Sequence, residues 1–467
     1  MLPIKVVQFG EGNFLRAFAD WMIDELNEKA EFNAGVAVVQ PIQHGMIGVL
    51  EKQEGLYHLL MRGLSEGQVT NQKRLISCIQ HTVNPFEDPD GFFGLATLPE
   101  LSLVLSNTTE AGIVFDAEDR PEDGTLAKTF PGKLTQFLLT RYNHFDGVES
   151  AGLGIIPCEL IDRNGDKLRQ AILQYIELWN LPEGFLQWIE KSNFFGNTLV
   201  DRIVPGYPKE EIDQILPQLG FDDKLVVAAE LFHLWIIEGP DELRKRFPAH
   251  RIGLDVKYVS DMAPYRTRKV RILNGSHTSM VPVGMLAGIE TVKEAVEDEL
   301  VGPFIRQLIF EEIIPTIDLP EEELHQFADQ VIERFRNPFI RHELKSIALN
   351  SISKFKVRVL PSILSYLEQK GQAPTRLCTA FASLIRLYFT ADSLGISLQD
   401  NAEYLNFFKE YQQQADNSEI VTTVLSRGDL WGEDLSTNSI LLDTVSDAYQ
   451  GLIEKPIIAN LELMQTS

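Results

Sequence analysis

Arg266, Lys269, Asn274 and His277 carry the chemistry that this sequence offers, all within Asp261 to Gly284, DMAPYRTRKVRILNGSHTSMVPVG. Pro264 suits the first turn of a helix, where its missing N–H would be an orphan anyway, and Pro282 predicts a stop or a kink. At about 100° per residue, Lys269, Arg266, His277 and Asn274 fall at roughly 0°, 60°, 80° and 140° around that helix, on one side. An amine and a guanidinium there form a cationic site for an anionic substrate, with an imidazole and an amide beside them. A solvated charged face is the commonplace alternative. Against it, no carboxylate balances these cations, and Gly275 next to Asn274 permits a close approach to the backbone.

That helix needs a frame. With 467 residues the chain exceeds what one core usually supports, so two domains are expected. They are placed at 1–255 and 256–467, after the charged, Pro248-bearing run from Asp241 to Arg251. A net charge of −25 argues against nucleic-acid partners and anionic membrane surfaces. Cys78, Cys158 and Cys378 are distant and odd in number, which excludes a disulfide framework or a CxxC metal site and fits a reducing cytosol. No apolar run reaches the ~18 residues of a membrane span, and the amino-terminus reads as a strand rather than a signal peptide. A soluble, cytoplasmic protein is the expectation.

Ile4 to Phe9 is a short apolar strand, followed by Gly10-Glu11-Gly12-Asn13-Phe14 and then a helical pattern, LRAFADWMIDELNEK. Strand, glycine turn and helix predict the opening of a dinucleotide-binding βαβ unit, with a pyrophosphate cradled at the helix start. Gly10, Gly12, Asn13 and Phe14 are its candidate contacts. The fingerprint is incomplete, because Leu15 stands where a third glycine belongs. Val36 to Gln40 is the next strand. Gln40, Pro41, Ile42 and Gln43 after it include neither the acid that marks NAD nor the arginine that marks NADP; NAD is the default because no basic cluster follows.

Leu101 to Leu105 and Leu153 to Pro157 predict further strands. The polar turn Ser106 to Gly112 should face the cofactor, with Asn107 and Glu110 as contacts, or else be a plain Asx-type turn. Leu225 to Ile237 predicts one buried strand or helix, with His233 a core residue. Beyond Gly288 the pattern is helical: Val292 to Phe310, Glu321 to Phe335, Leu344 to Gln369 and Pro374 to Phe389. Lys354, Lys356 and Arg358 form a basic patch in this second half. The fold expected is an α/β Rossmann-type amino-terminal domain followed by a mostly α-helical carboxyl-terminal domain.

Several stretches in this order, GEGNFLRAF, SNTTEAG, NTLVDRIVP, KVRILNGSH and RFRNPFIRHELKSIA, resemble the mannitol dehydrogenase family of zinc-independent, polyol-specific long-chain dehydrogenases. The resemblance covers nearly the whole chain. It implies NAD as cofactor, no metal, a small-molecule substrate, and a monomer or small homo-oligomer. Carried over residue by residue, the family's catalytic lysine falls on Lys269, its oxyanion-binding asparagines on Asn197 and Asn274, and its substrate-positioning histidine on His277. Lys354 resembles a substrate-contacting lysine. Hydride transfer to a ketone leaves charge on oxygen, which the two amides would stabilise and Lys269 would protonate. An amine near pKa ~10.4 needs burial and a neighbouring charge such as Arg266 to serve at neutral pH.

One departure bears on the substrate. The polyol-active members have P-Y-E where this chain has Pro264-Tyr265-Arg266, and a guanidinium there binds a carboxylate bidentately. A sugar acid is therefore expected rather than a neutral polyol, and the glutamate's proton-relay role does not carry over. A member acting on another keto-sugar acid or on a polyol, and an NAD-binding regulatory protein without catalysis, are the alternatives. The intact Lys269, Asn274 and His277 speak against the last.

Overall fold

The computed structural model describes residues 2–109, 111–122, 125–412 and 419–466. The chain divides into two compact units, one of Met1–Gly63 with Val69–Met262 and one of Leu64–Gln68 with Ala263–Ser467.

Strands among the described residues, in chain order, are β1 (Ile4–Phe9), β2 (Gly35–Val39), β3 (Tyr57–Ser65), β4 (Gln68–Ile76), β5 (Ile79–Val83), β6 (Leu103–Ser106), β7 (Gly154–Pro157), β8 (Phe194–Phe195), β9 (Asn197–Asp201), β10 (Val227–Glu230), β11 (Leu234–Glu238) and β12 (Val256–Val259). Six of them form one parallel sheet in the order β5-β2-β1-β6-β7-β8. The other six form two three-stranded sheets, β10-β3-β4 and β12-β11-β9.

Alternation along the parallel strands explains why each reads as an almost unbroken apolar run. Val6, Val36 and Val38 face one core with Trp21, Met22 and Leu26, while Val7, Phe9, Ala37 and Val39 face another with Phe92, Phe130 and Phe137. Both faces are covered, so neither needs polar positions. The chain leaves β1 toward β2 on one side and returns to β6 on the other. The carboxyl ends of β1 and β6 therefore open at a topological switch point, where a doubly wound sheet binds its ligand.

The helix expected after the glycine turn is broken in two, α1 (Asn13–Arg16) and α2 (Ala19–Ala30). At the break, the Tyr57 hydroxyl donates to the Arg16 carbonyl at 2.7 Å and Arg202 Nη1 donates to the Ala17 carbonyl at 2.6 Å. Side chains from elsewhere take the carbonyls that a continuous helix would use itself. The run from Leu225 to Ile237 is likewise two strands in different sheets, β10 and β11. Glu230 ends the first of them, its carbonyl accepting from Arg202 and its carboxylate from the Ile203 N–H.

The second unit is built from helices. Ala263 to Leu286 is one continuous rod, helical from Ala263–Arg268, a π turn over Lys269–Asn274, and α-helical again over Gly275–Leu286. Pro282 lies inside it and does not end it. Met280, Val281 and Val283 around it are almost wholly buried, and that packing outweighs the roughly 3 kcal/mol an interior proline costs. Glu321–Phe335 forms as expected. The Val292 to Phe310 run is interrupted at Asp298, whose carboxylate accepts the N–H groups of Leu300 and Val301 and restarts the helix. The Leu344 to Gln369 run is three helices, Leu344–Ile347, Ser351–Arg358 and Leu360–Lys370. Asn350 turns the first join in the left-handed region at φ 54°, and Pro361 opens the third helix.

Candidate active site

At the switch point of the first unit, Gly10 has φ +125°, and a Cβ on it would lie 3.0 Å from the Asn107 carbonyl oxygen. Only glycine fits there, because both the backbone angle and the approach of the β6 turn forbid a side chain. The Asn107 N–H donates to the Phe9 carbonyl at 3.1 Å, so the two turns are stitched together. Beside Gly12 the space that a Cβ would occupy is open to 4 Å. This is a cradle of the kind a dinucleotide's phosphates use.

Buried charges hold the cradle. Arg16 is 2% exposed and donates to the Glu11 carbonyl, to the Leu225 carbonyl and, at 2.7 Å, to Asn13 Oδ1. Glu159 accepts from Ser106 Oγ, Thr108 N and Thr108 Oγ1 at 2.9 to 3.0 Å, and burial raises its carboxyl above the ordinary carboxylate range. Asn107 Nδ2 donates to the Cys158 carbonyl. Phe14 stacks on Phe18 with ring centroids 4.9 Å apart. Asn13 and Phe14 thus stiffen the turn by their side chains, and it is their backbone that is available to a ligand. Glu110 lies outside the described residues.

Neither Arg16 nor Glu159 stood out in the sequence. The one signal was contextual: an arginine between Leu15 and Ala17, both buried, cannot reach water and must be paired internally. Glu11 belongs with them, its carboxylate accepting the Met46 N–H at 3.2 Å and raised by burial.

Asn197 opens β9, buried, with both amide atoms engaged. Its Oδ1 accepts from the Asp166 N–H at 3.0 Å and its Nδ2 donates to Glu238 Oε1 at 3.1 Å. Next to it Asn164, fully buried, donates to the carbonyls of Pro157 and Glu159 and to Thr198 Oγ1. Two asparagines therefore lock the carboxyl end of β7 to β9. His233 is a core residue as expected, edge-on to Trp21, its Nε2 accepting the Asp255 N–H; burial pushes it down to about 4. Burial likewise raises the Cys158 thiol well above its usual value, which leaves it a poor nucleophile.

In the second unit the π turn changes the geometry of the cationic helix. A π turn closes from residue i to i+5, so Asn274 stands about one turn on from Lys269 and over it. On an ideal α-helix the two would diverge by roughly 140°. The unusual turn thus narrows the angle between amine and amide on the side they share, as such turns do at functional sites. Arg268 and Arg271 point elsewhere. Arg268 is buried, pairs with Glu323 Oε1 at 2.6 Å and lies over the Phe327 ring; Arg271 donates to the carbonyl and hydroxyl oxygens of Thr316. These two arginines anchor the helix. Burial lowers the Arg266 guanidinium from its ordinary value, though an arginine stays charged.

His277 stacks on Phe335 at 4.2 Å and meets His342 edge-on at 5.1 Å. Burial, then the charges of His342, Arg334 and Arg358, push its pKa well below the ordinary histidine value, so the ring is neutral. Its Nε2 is buried without a hydrogen-bond partner among the described residues. Such an atom is costly unless something docks on it.

Gly275 is the close approach that the sequence suggested, but what approaches is protein. A Cβ there would lie 2.9 Å from the Arg358 carbonyl oxygen, so the end of the Ser351–Arg358 helix presses on the start of Gly275–Leu286. The basic patch is thereby brought to the His277 helix. Lys354, half-buried, donates to the Ile347 carbonyl at 2.9 Å, and burial and Arg358 lower its pKa. Among the described residues no group of three His, Cys, Asp or Glu side chains is placed to hold a metal, and no helix is long and apolar enough to cross a membrane.

Comparison with known proteins gives consistent matches over both units. A family model described as the mannitol dehydrogenase Rossmann domain matches residues 4–250, and one described as the mannitol dehydrogenase C-terminal domain matches residues 261–453. An altronate oxidoreductase of Bacillus subtilis (strain 168) is 50% identical over 95% of this chain and 92% of its own length. One of Phocaeicola vulgatus is 47% identical over 97% and 96%. Among solved structures, a D-sorbitol dehydrogenase in substrate-free form superimposes with a TM-score of 0.82 at 24% identity, covering 98% of this chain and 95% of that one. A Pseudomonas fluorescens mannitol 2-dehydrogenase, in a ternary complex with NAD and D-mannitol, does so with a TM-score of 0.67 at 21% identity, covering 100% and 95%. At those identities the two structures establish the fold.

Proposed function

The chain belongs to the mannitol dehydrogenase family, and from that premise we propose that it is a cytoplasmic NAD-dependent oxidoreductase that interconverts D-tagaturonate and D-altronate. The observation that carries this reading is the near full-length identity of 43–50% to relatives named altronate oxidoreductase. Arg266 supports the same substrate class, since a guanidinium fits the carboxylate that distinguishes a uronate from a polyol.

The cradle of Gly10, Gly12 and Asn107 would hold the dinucleotide, and when bound the nicotinamide supplies or accepts the hydride. The protein's own residues handle the oxygen and its proton. Asn274 Nδ2 donates to the substrate oxygen as charge develops there. Lys269 Nζ gives that oxygen a proton in reduction and removes it in oxidation. His277, neutral and with Nε2 unpartnered, orients a substrate hydroxyl. Arg266 holds the carboxylate, with Lys354 a second cation for the sugar acid. Asn197 Nδ2 would donate to a ligand oxygen only by releasing Glu238. The active species is a monomer or small homo-oligomer.

Reduction of a panel of D-tagaturonate, D-fructuronate and D-fructose, followed as NADH consumption, tests the assignment. The highest kcat/KM is expected for D-tagaturonate. Preference for D-fructuronate would make the chain a mannonate-forming enzyme, and preference for D-fructose would make it a polyol dehydrogenase.

A further inference from the structure

A cleft of about 420 Å³ opens beyond the carboxyl ends of β2 and β5, lined in part by Gln40, Gln43, His44, Glu51, Glu87 and Asp88. It lies on the β2 side of the switch point, where the adenosine half of a dinucleotide rests in a doubly wound sheet. Two large apolar side chains stand exposed next to it, Ile42 at 60% and Phe86 at 41%. Each is three residues past its strand, and the strand ends Val39 and Val83 are partners in register. Lys133 Nζ lies over the Phe86 ring, 5.0 Å from its centroid, and a planar base is the kind of group that exposed apolar side chains cover.

The charges of this cleft are one-sided. Among the described residues no lysine or arginine lines it, and the Lys133 ammonium over Phe86 is held by the Lys128 carbonyl. Gln40, at the position where an acid usually reads the ribose, donates its amide to the carbonyls of Ile42 and Gln43 and so holds its own loop. Three carboxylates remain: Glu51, Glu87 and Asp88, the last fixed by accepting the Gly91 N–H at 2.8 Å. Resting on the dinucleotide reading above, we propose that these three carboxylates, in place of an acid at the end of β2, select the cofactor by repelling a ribose 2′-phosphate. A dianionic phosphate about 6 Å from a single carboxylate in a water-like dielectric is disfavoured roughly tenfold. Several carboxylates together, partly screened by salt, give a discrimination on the order of a hundredfold.

The test is equilibrium binding, read by nicotinamide fluorescence, of NADH and NADPH to the full-length protein at pH 8 and low salt. The variants are Glu87→Lys and the double substitution Glu51→Gln with Glu87→Gln. All these side chains are on the surface, and melting temperature reports that the fold is kept. The wild type is expected to bind NADH more tightly, with the ratio of dissociation constants shrinking as salt is added. Glu87→Lys is expected to lower that ratio at least tenfold by tightening NADPH, with the NADH constant changed by less than about threefold. An unchanged ratio in both variants, with NADH still bound, overturns the role of the carboxylates and leaves the dinucleotide reading standing. A wild type that binds neither dinucleotide overturns both.

Discussion

Within the stretch RTRKVR, neighbouring cations take different parts according to which face of one helix they occupy. Arg268 and Arg271 are anchored to Glu323 and Thr316, whereas Arg266 lies on the side of Lys269. Helical angles alone set Arg266 and Lys269 apart from Arg268 and Arg271, but four like charges in six residues carry no label for the partner that each will find. If Arg266 meets the substrate carboxylate, Arg266→Glu should lower kcat/KM for a uronate at least 100-fold while costing a neutral ketose no more than a few-fold, since a charge-assisted bidentate pair is replaced by repulsion. Equal losses on both substrates would remove the carboxylate role. His277 adds no charge to this face, because burial holds it neutral.

At the scale of elements, the π turn and the Gly275 contact set the geometry of the site. Gly275→Ala places a Cβ 2.9 Å from a backbone oxygen that cannot rotate away. We expect about 1–3 kcal/mol of destabilisation, seen as a lower melting temperature, together with a raised KM as the Lys354 helix is displaced. An alanine variant as stable and as active as the wild type would mean that the two helices are not locked there. The sequence made β1, Glu321–Phe335 and the glycine turn legible because local pattern and burial agree in them. It did not reveal the π turn, whose extra residue is accommodated by packing from neighbouring helices, nor the helix running through Pro282. Asn350 and Asp298 were readable only as ordinary polar residues, since a side chain that turns or restarts a helix looks like one that faces water. Asn197 was carried over as an oxyanion-binding amide, and its partners Glu238 and Asp166 could not be read beside it because they are distant in the chain.

Across the whole molecule, burying charge has consequences for stability. Asp20 is fully buried, its Oδ1 without a hydrogen-bond partner among the described residues, and burial raises it to about 7. Against an unfolded value of ~3.9, its contribution is fully present below about pH 4 and is lost as pH rises through 7. His233, pushed down to about 4, works in the opposite sense: its contribution is present above ~6.5 and is lost as pH falls through about 4. Asp20→Asn removes only the first effect. The variant should gain on the wild type by an amount on the order of 4 kcal/mol between pH 4 and pH 8, visible as a widening gap in melting temperature. Parallel pH profiles would show that Asp20 is not held protonated. The two-part architecture and the acidic surface were legible from length, charge and periodicity, whereas this buried carboxyl sat unremarked within ADWMIDEL. The account as a whole stands most directly on Lys269→Ala, with D-tagaturonate reduction and NADH binding measured on the same preparation. Turnover reduced at least 1,000-fold with the NADH dissociation constant unchanged is the predicted result, and near-normal turnover would contradict it.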